Sequence, residues 1–216
     1  MRPRLAILSV ALCAWLTGCG ASHTSASHRT SASATTAATA PVSPSAGILA
    51  RVLTNNELKG FTGSPGGIDT SAGTWLAADQ DPDLNADHAR LTRLGFIRGV
   101  REDLSAGATP GLSVVEQFHS AKAASAELAA EIAEDKTAAG GPYKAFAVSG
   151  IPGARGYTLI QGSQGGINIA FVKGPYYYLV GQELAPSESI NAAIASVTAA
   201  AQHLYHRVRW TGFDGD

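Results

Sequence analysis

Between Gly20 and Ala46 the chain reads GASHTSASHRTSASATTAATAPVSPSA, almost entirely Ser, Thr and Ala, with Pro41 and Pro44 near its end. Such a tract cannot bury enough apolar surface to offset the entropy of ordering it. It confines any fold to Gly47–Asp216, a stretch of 170 residues, enough for one domain with a full core and short of what two would need. Residues 19–46 are therefore expected to be a disordered linker, with a mean reach of roughly 25–30 Å. Ser and Thr with Pro is also the composition of mucin-like, O-glycosylated stalks. His23 and His28 stand alone in this tract and are read as incidental rather than as metal ligands.

Ahead of the tract, Arg2 and Arg4 lead into an apolar run from Leu5 to Leu16. A positive start, about a dozen apolar residues and then small residues predict a secretory signal peptide over residues 1–18. The run is too short to span a bilayer, which takes roughly 20 apolar residues. At its end, Leu16-Thr17-Gly18-Cys19 resembles the bacterial lipobox. That resemblance implies a diacylglyceryl group on the Cys19 thiol, cleavage just before it, and a further fatty acid such as palmitate on the new amino terminus. Two or three acyl chains anchor a protein stably, so the expected location is the cell membrane, on its extracytoplasmic face, through lipid on Cys19. Cys13 lies in the apolar run, so the mature chain would hold one cysteine, already alkylated. An internal disulfide, a cysteine-based zinc site and a free thiol nucleophile then fall away.

Charge narrows the partners. Removing Arg2 and Arg4 from 16 basic residues leaves 14 against 17 acidic ones, a net charge near −3. There is no Lys/Arg run, which argues against nucleic acid, whose binding needs concentrated positive charge.

Periodicity then orders the domain. Ile48–Leu58 is an ambiguous opening element, and Gly60–Gly73 reads as loop. Asn85 starts a short helix through Leu94, stopped by Gly95. Phe96–Leu104 and Leu112–His119 read as strands, and Ser120 caps a helix over Ala121–Ala139 whose apolar stripe is Ala121, Ala124, Leu128 and Ile132. Glu127, Glu131 and Asp135 line another face of that helix at i, i+4. They are read as a solvated outer face rather than an acidic metal site. Four strand-like runs come next: Tyr143–Ser149, Ala154–Gln161, Ile167–Lys173 and Tyr176–Leu184, joined by short connectors that predict antiparallel hairpins. A final helix from a Ser187 cap carries Ile190, Ile194, Val197, Ala201, Leu204 and Val208 on one stripe. The order α-β-β-α-β-β-β-β-α predicts an α+β fold: one antiparallel sheet with the two long helices on one face.

Chemical motifs are scarce. Gly162-Ser163-Gln164-Gly165 lies in a turn and lacks nucleophile-elbow spacing. Gly150-Ile151-Pro152-Gly153-Ala154-Arg155-Gly156 joins two strands and lacks a phosphate-loop ending; Arg155 is kept as a contact for an anionic ligand. His203 and His206 have a spacing that can ligate zinc, but with Arg207 and Arg209 they fit better as positive charge at a helix carboxyl end. Arg101 and Asp103 share a strand face, with Glu102 opposite, and surface ion pairing accounts for them. Tyr176-Tyr177-Tyr178 is the aromatic patch best suited to a ligand or partner, with Tyr176 and Tyr178 on one face and Tyr177 on the other. No cofactor and no metal are expected.

Three segments carry a resemblance: Phe96-Ile97-Arg98-Gly99-Val100-Arg101-Glu102, Ile151-Pro152-Gly153-Ala154-Arg155-Gly156, and Phe171-Val172-Lys173-Gly174-Pro175-Tyr176-Tyr177-Tyr178-Leu179-Val180-Gly181. Together they resemble small actinobacterial lipoproteins of unassigned function and, more distantly, the extracytoplasmic sensor domains of mycobacterial membrane kinases. The resemblance implies one α+β domain on a stalk and brings no catalytic residues. The expected function is a non-catalytic, membrane-anchored domain that binds a ligand or a protein. The alternatives are a lipid or glycolipid carrier, which needs an apolar cavity under the last helix, and a cell-wall hydrolase.

Overall fold

Alternation of apolar and polar residues, broken by glycine at tight turns, builds the centre of the molecule. The computed structural model describes residues 47–64, 66–77, 84–138, 143–162 and 164–208. Eight strands form a single antiparallel sheet: β1 (Thr62–Ser64), β2 (Ile68–Asp69), β3 (Phe96–Ala106), β4 (Thr109–Phe118), β5 (Tyr143–Phe146), β6 (Arg155–Gln161), β7 (Gln164–Lys173) and β8 (Tyr176–Glu183). Their order is β1-β3-β4-β8-β7-β6-β5, with β2 also pairing β3. The hairpins β3–β4 and β7–β8 close through Gly107-Ala108 and Gly174-Pro175, between the pairs Ala106–Thr109 and Lys173–Tyr176. Gly107 has φ +61° and Gly174 φ +58°, the left-handed first position that glycine fills without strain in two-residue loops.

Among the described residues four α-helices complete the fold: α1 (Ala72–Ala77), α2 (Leu84–Leu94), α3 (Ala121–Ala138) and α4 (Ile190–Arg207), after a 3-10 turn at Ile48–Arg51. The Ser120 hydroxyl accepts from the Ala123 amide at 3.1 Å and caps α3 as expected. On α4 the cap is Ser189, accepting from Ala192 at 3.2 Å, and not Ser187.

The two long helices lie on opposite faces of the sheet, not on one. Buried residues of α4, including Val197, Ala201 and Leu204, pack with Ile167, Ile169, Phe171, Tyr178 and the amino-terminal Ile48 and Leu53. Ala124 and Leu128 of α3 pack instead with Tyr177, Ala170 and Val114, together with α1 and α2. Neighbouring strand residues point to opposite faces, so Tyr177 and Tyr178 head different cores. The central strands are apolar at both parities; β8 reads Tyr-Tyr-Tyr-Leu-Val, and a strand of that kind requires cover on both sides. Residues 1–18 and 19–46, Cys19 among them, lie outside the described residues, as do Arg209 and the residues after it. Among the described residues no helix is long and apolar enough to cross a membrane.

Candidate functional site

α3 is nearly half alanine, so it can approach the sheet closely, and the acidic side chains between its alanines then face inward. Glu127 is buried, with its side chain 1% exposed, and Glu131, Glu134 and Asp135 are half-buried. The expectation of a solvated outer face fails here because α2 and the sheet both flank that side of α3. Arg90 of α2 supplies the compensating charge. Its Nη2 lies 3.1 Å from Glu127, 2.5 Å from Glu131 and 3.2 Å from Asp87, and its Nη1 lies 3.0 Å from Glu134. Burial alone would lower the Arg90 pKa, but Glu131, Glu127 and Glu134 together raise it.

The sheet adds Glu116 of β4, whose carboxylate accepts from the Trp75 indole N–H at 2.7 Å. Trp75 reaches it by lying across Gly99, where a side chain would collide with the ring. Glu116 pairs across the strands with Tyr177, which is fully buried and whose hydroxyl is raised well above its usual range by burial, with Glu131, Tyr157, Glu116 and Asp135 adding to the effect. Tyr157 bonds Asp135 and stacks on Tyr143 at 5.3 Å. A seam of carboxyl and phenol groups thus runs between α3 and the sheet, with Arg90 at one end.

The α4 face is built differently. Ile167, Ile169, Phe171, Val180, Ala193, Val197, Ala201 and Leu204 are all 0% exposed, which leaves no water-sized space beside them. The cavity that lipid carriage would need between α4 and the sheet is filled at these positions. Polar contacts gather at the carboxyl end of α4. Glu57 accepts from Thr54 and lies 2.8 Å from His203 Nε2 and 3.0 Å from Arg207 Nε. Arg207 also donates to the carbonyls of Ala50 at 2.9 Å and Val52 at 2.7 Å. Arg51, itself buried, lies 4.2 Å over the Tyr176 ring and donates to the Tyr178 hydroxyl at 3.4 Å. This cluster ties the segment around Ile48–Leu58 to the last helix.

The residues singled out from the sequence are dispersed by the fold. Tyr176, Tyr177 and Tyr178 are 5%, 3% and 0% exposed; Tyr178 stacks on Phe171 at 4.8 Å. Arg155 is exposed at the start of β6, close enough to influence Tyr143. Arg101 and Asp103 pair at 2.8 Å, while Glu102 is buried on the other face and raised by burial and by Glu57. Sequence reasoning missed Arg90, Glu57, Trp75 and Glu116; each acts through a partner 40 or more positions away, and only the i, i+4 carboxylates of α3 left a local signal. Among the described residues no group of three His, Cys, Asp or Glu is placed to hold a metal ion.

No protein-family model and no curated protein matches the chain. Among solved structures it is similar to the extracellular domain of PknH from Mycobacterium tuberculosis, at 15% identity and a TM-score of 0.48, over 76% of this chain and 97% of that one.

Proposed function

We propose that the chain is a lipid-anchored extracytoplasmic domain that binds a ligand or protein partner and does no catalysis. The observation that carries this reading is Leu16-Thr17-Gly18-Cys19 at the end of a positively headed apolar run. Residues 1–18 would be removed, acyl chains on Cys19, palmitate among them, would enter the bilayer, and residues 19–46 would hold the 47–216 domain off the headgroups. Within the domain the contact surface is the β5–β6 edge, where Arg155 is exposed and Lys136 lies 5.4 Å from the Tyr143 ring. Tyr177 would meet a ligand only where α3 lifts from the sheet, and Tyr176 and Tyr178 only where α4 does.

Cys19→Ala tests the anchor. In the native host the variant is expected to lose its acyl mass, to escape processing at this site and to leave the membrane fraction. Wild-type mass and fractionation in the variant would refute the lipoprotein reading. Native mass spectrometry of the chain purified from its own host tests binding: a co-purifying species whose occupancy drops in Arg155→Glu supports the assigned surface, and unchanged occupancy removes Arg155 from it.

A further inference from the structure

Glu127 occupies a position where a carboxylate is poorly supported. It meets Glu116 from β4, Arg90 from α2 and Glu131 from its own helix; Arg90 also holds Asp87 and Glu134, and Glu116 engages the Trp75 indole of α1 and pairs across the strands with Tyr177 of β8. Arg90 is divided among four carboxyl groups. The second oxygen of Glu127, Oε2, meets no hydrogen-bond partner among the described residues. An ionised carboxylate would leave that buried oxygen without a donor, which is costly. A protonated one brings its own O–H, with Glu131 beside it to accept. We propose that Glu127 and the carboxyl groups around Arg90 form a proton-operated latch between α3 and the sheet, closed while Glu127 holds its proton and loosened when it ionises.

Burial first, then Glu116 and Glu131, raise Glu127 to about 9 against the pull of Arg90. The direction of the pH effect is set by this shift. A carboxyl group raised in the closed state, and returned to its ordinary 4.5 when α3 lifts into water, releases a proton on opening. Between those two values opening becomes easier as pH rises, by at most about tenfold per pH unit. Below the ordinary value both states hold the proton and the dependence disappears. α3 is thus seated most firmly in acid, and the part of the sheet under it, Tyr177 included, becomes more accessible toward neutral and alkaline pH. The latch rests on the packing of α3 and stands whether or not Cys19 carries lipid.

Hydrogen–deuterium exchange on the full chain at pH 5.5, 6.5 and 7.5, corrected for intrinsic exchange, tests it by comparing α3 with residues 193–201 of α4, whose buried side chains are apolar. The expected result is a severalfold loss of α3 protection relative to α4 per pH unit, and a flat profile in Glu127→Gln. A wild-type ratio that changes less than twofold over the range, or a variant that keeps the wild-type slope, overturns the latch. Carbon-13 NMR titration of the Glu127 carboxyl in the wild-type chain decides the point even where the variant fails to fold. A midpoint above pH 7 is expected, and one near 4.5 overturns the proposal.

Discussion

Replacing Gly99 by Ala probes how α1 is seated on the sheet. A methyl group there would stand 2.7 Å from Trp75 Cε3, 2.8 Å from Cζ3 and 2.9 Å from Cδ2, about 1 Å inside the ordinary carbon–carbon contact of roughly 3.5–4 Å. Gly99 is not among the glycines with positive φ, so alanine meets no backbone strain and gains about 0.5–1 kcal/mol over glycine. The indole opposes that gain because it is held on two sides. Its N–H donates to Glu116, and its ring stacks on Phe96 at 6.0 Å. Overpacking costs about 1–3 kcal/mol, and displacing the ring from a buried charged acceptor costs about 1–3 kcal/mol more. The net expectation is a loss of about 2–4 kcal/mol. Urea denaturation of wild type, Gly99→Ala, Trp75→Leu and the double variant measures it. In the Trp75→Leu background the methyl has no indole to strike, so its cost should vanish or turn into a small gain. A neutral or stabilising Gly99→Ala in the wild-type background, or the same cost in both, would refute the reasoning.

Three further substitutions test the α4 face by the same denaturation assay. Ser189→Ala removes the hydroxyl that caps α4 and should cost about 1 kcal/mol, whereas Ser187→Ala, two residues before the cap, should stay within about 0.5 kcal/mol of wild type. Arg207→Met removes the donors to Ala50 and Val52 and leaves Glu57 buried without its main cation. Loss of about 3 kcal/mol is expected, with faster limited proteolysis between Ile48 and Leu58; wild-type proteolysis would show that the first segment is held by packing alone.

The parts of the fold that were legible are those with a local physical signature. α4 announced itself through Val197, Ala201 and Leu204 at helical spacing, and all three are buried. β7 alternated at Ile167, Ile169 and Phe171, and Gly174-Pro175 marked its hairpin. β1 and β2 fall inside the stretch that reads as loop, and most of α1 carries no assignment, because two or three strand residues, or six helical ones, are too few to establish a period. The face assignment of the helices failed for a different reason. α3 carries alanine nearly all the way round, so sequence period alone does not say which side is covered. The candidate seam was hardest of all: Glu127 and Glu131 look solvent-facing until Arg90, which lies 37 positions from Glu127, is brought beside them by α2.

The two layers differ in the kind of energy that holds them, and that difference bears on which one can respond to its surroundings. α4 contributes Ala193, Val197, Ala200, Ala201 and Leu204 to an interface of aliphatic and aromatic groups. Burial of this kind is non-directional and involves no titrating group, the polar contacts of α4 being gathered at its carboxyl end. α3 covers part of its interface with Glu127, Glu131 and Asp135 facing Glu116, Tyr177 and Tyr157. Replacing apolar contacts with charged ones makes an interface weaker for its area, because desolvation offsets much of the attraction. It also makes the interface sensitive to whatever changes the charge. The amino-terminal segment after the predicted linker is fastened to the α4 layer through Ala50, Val52 and Arg207. A tether on residue 47, as proposed above, would therefore pull first on the α4 side of the sheet. Under the proposed function the α4 face would carry the anchor, and the α3 face, with its buried carboxyl groups, would be the one to open toward a partner.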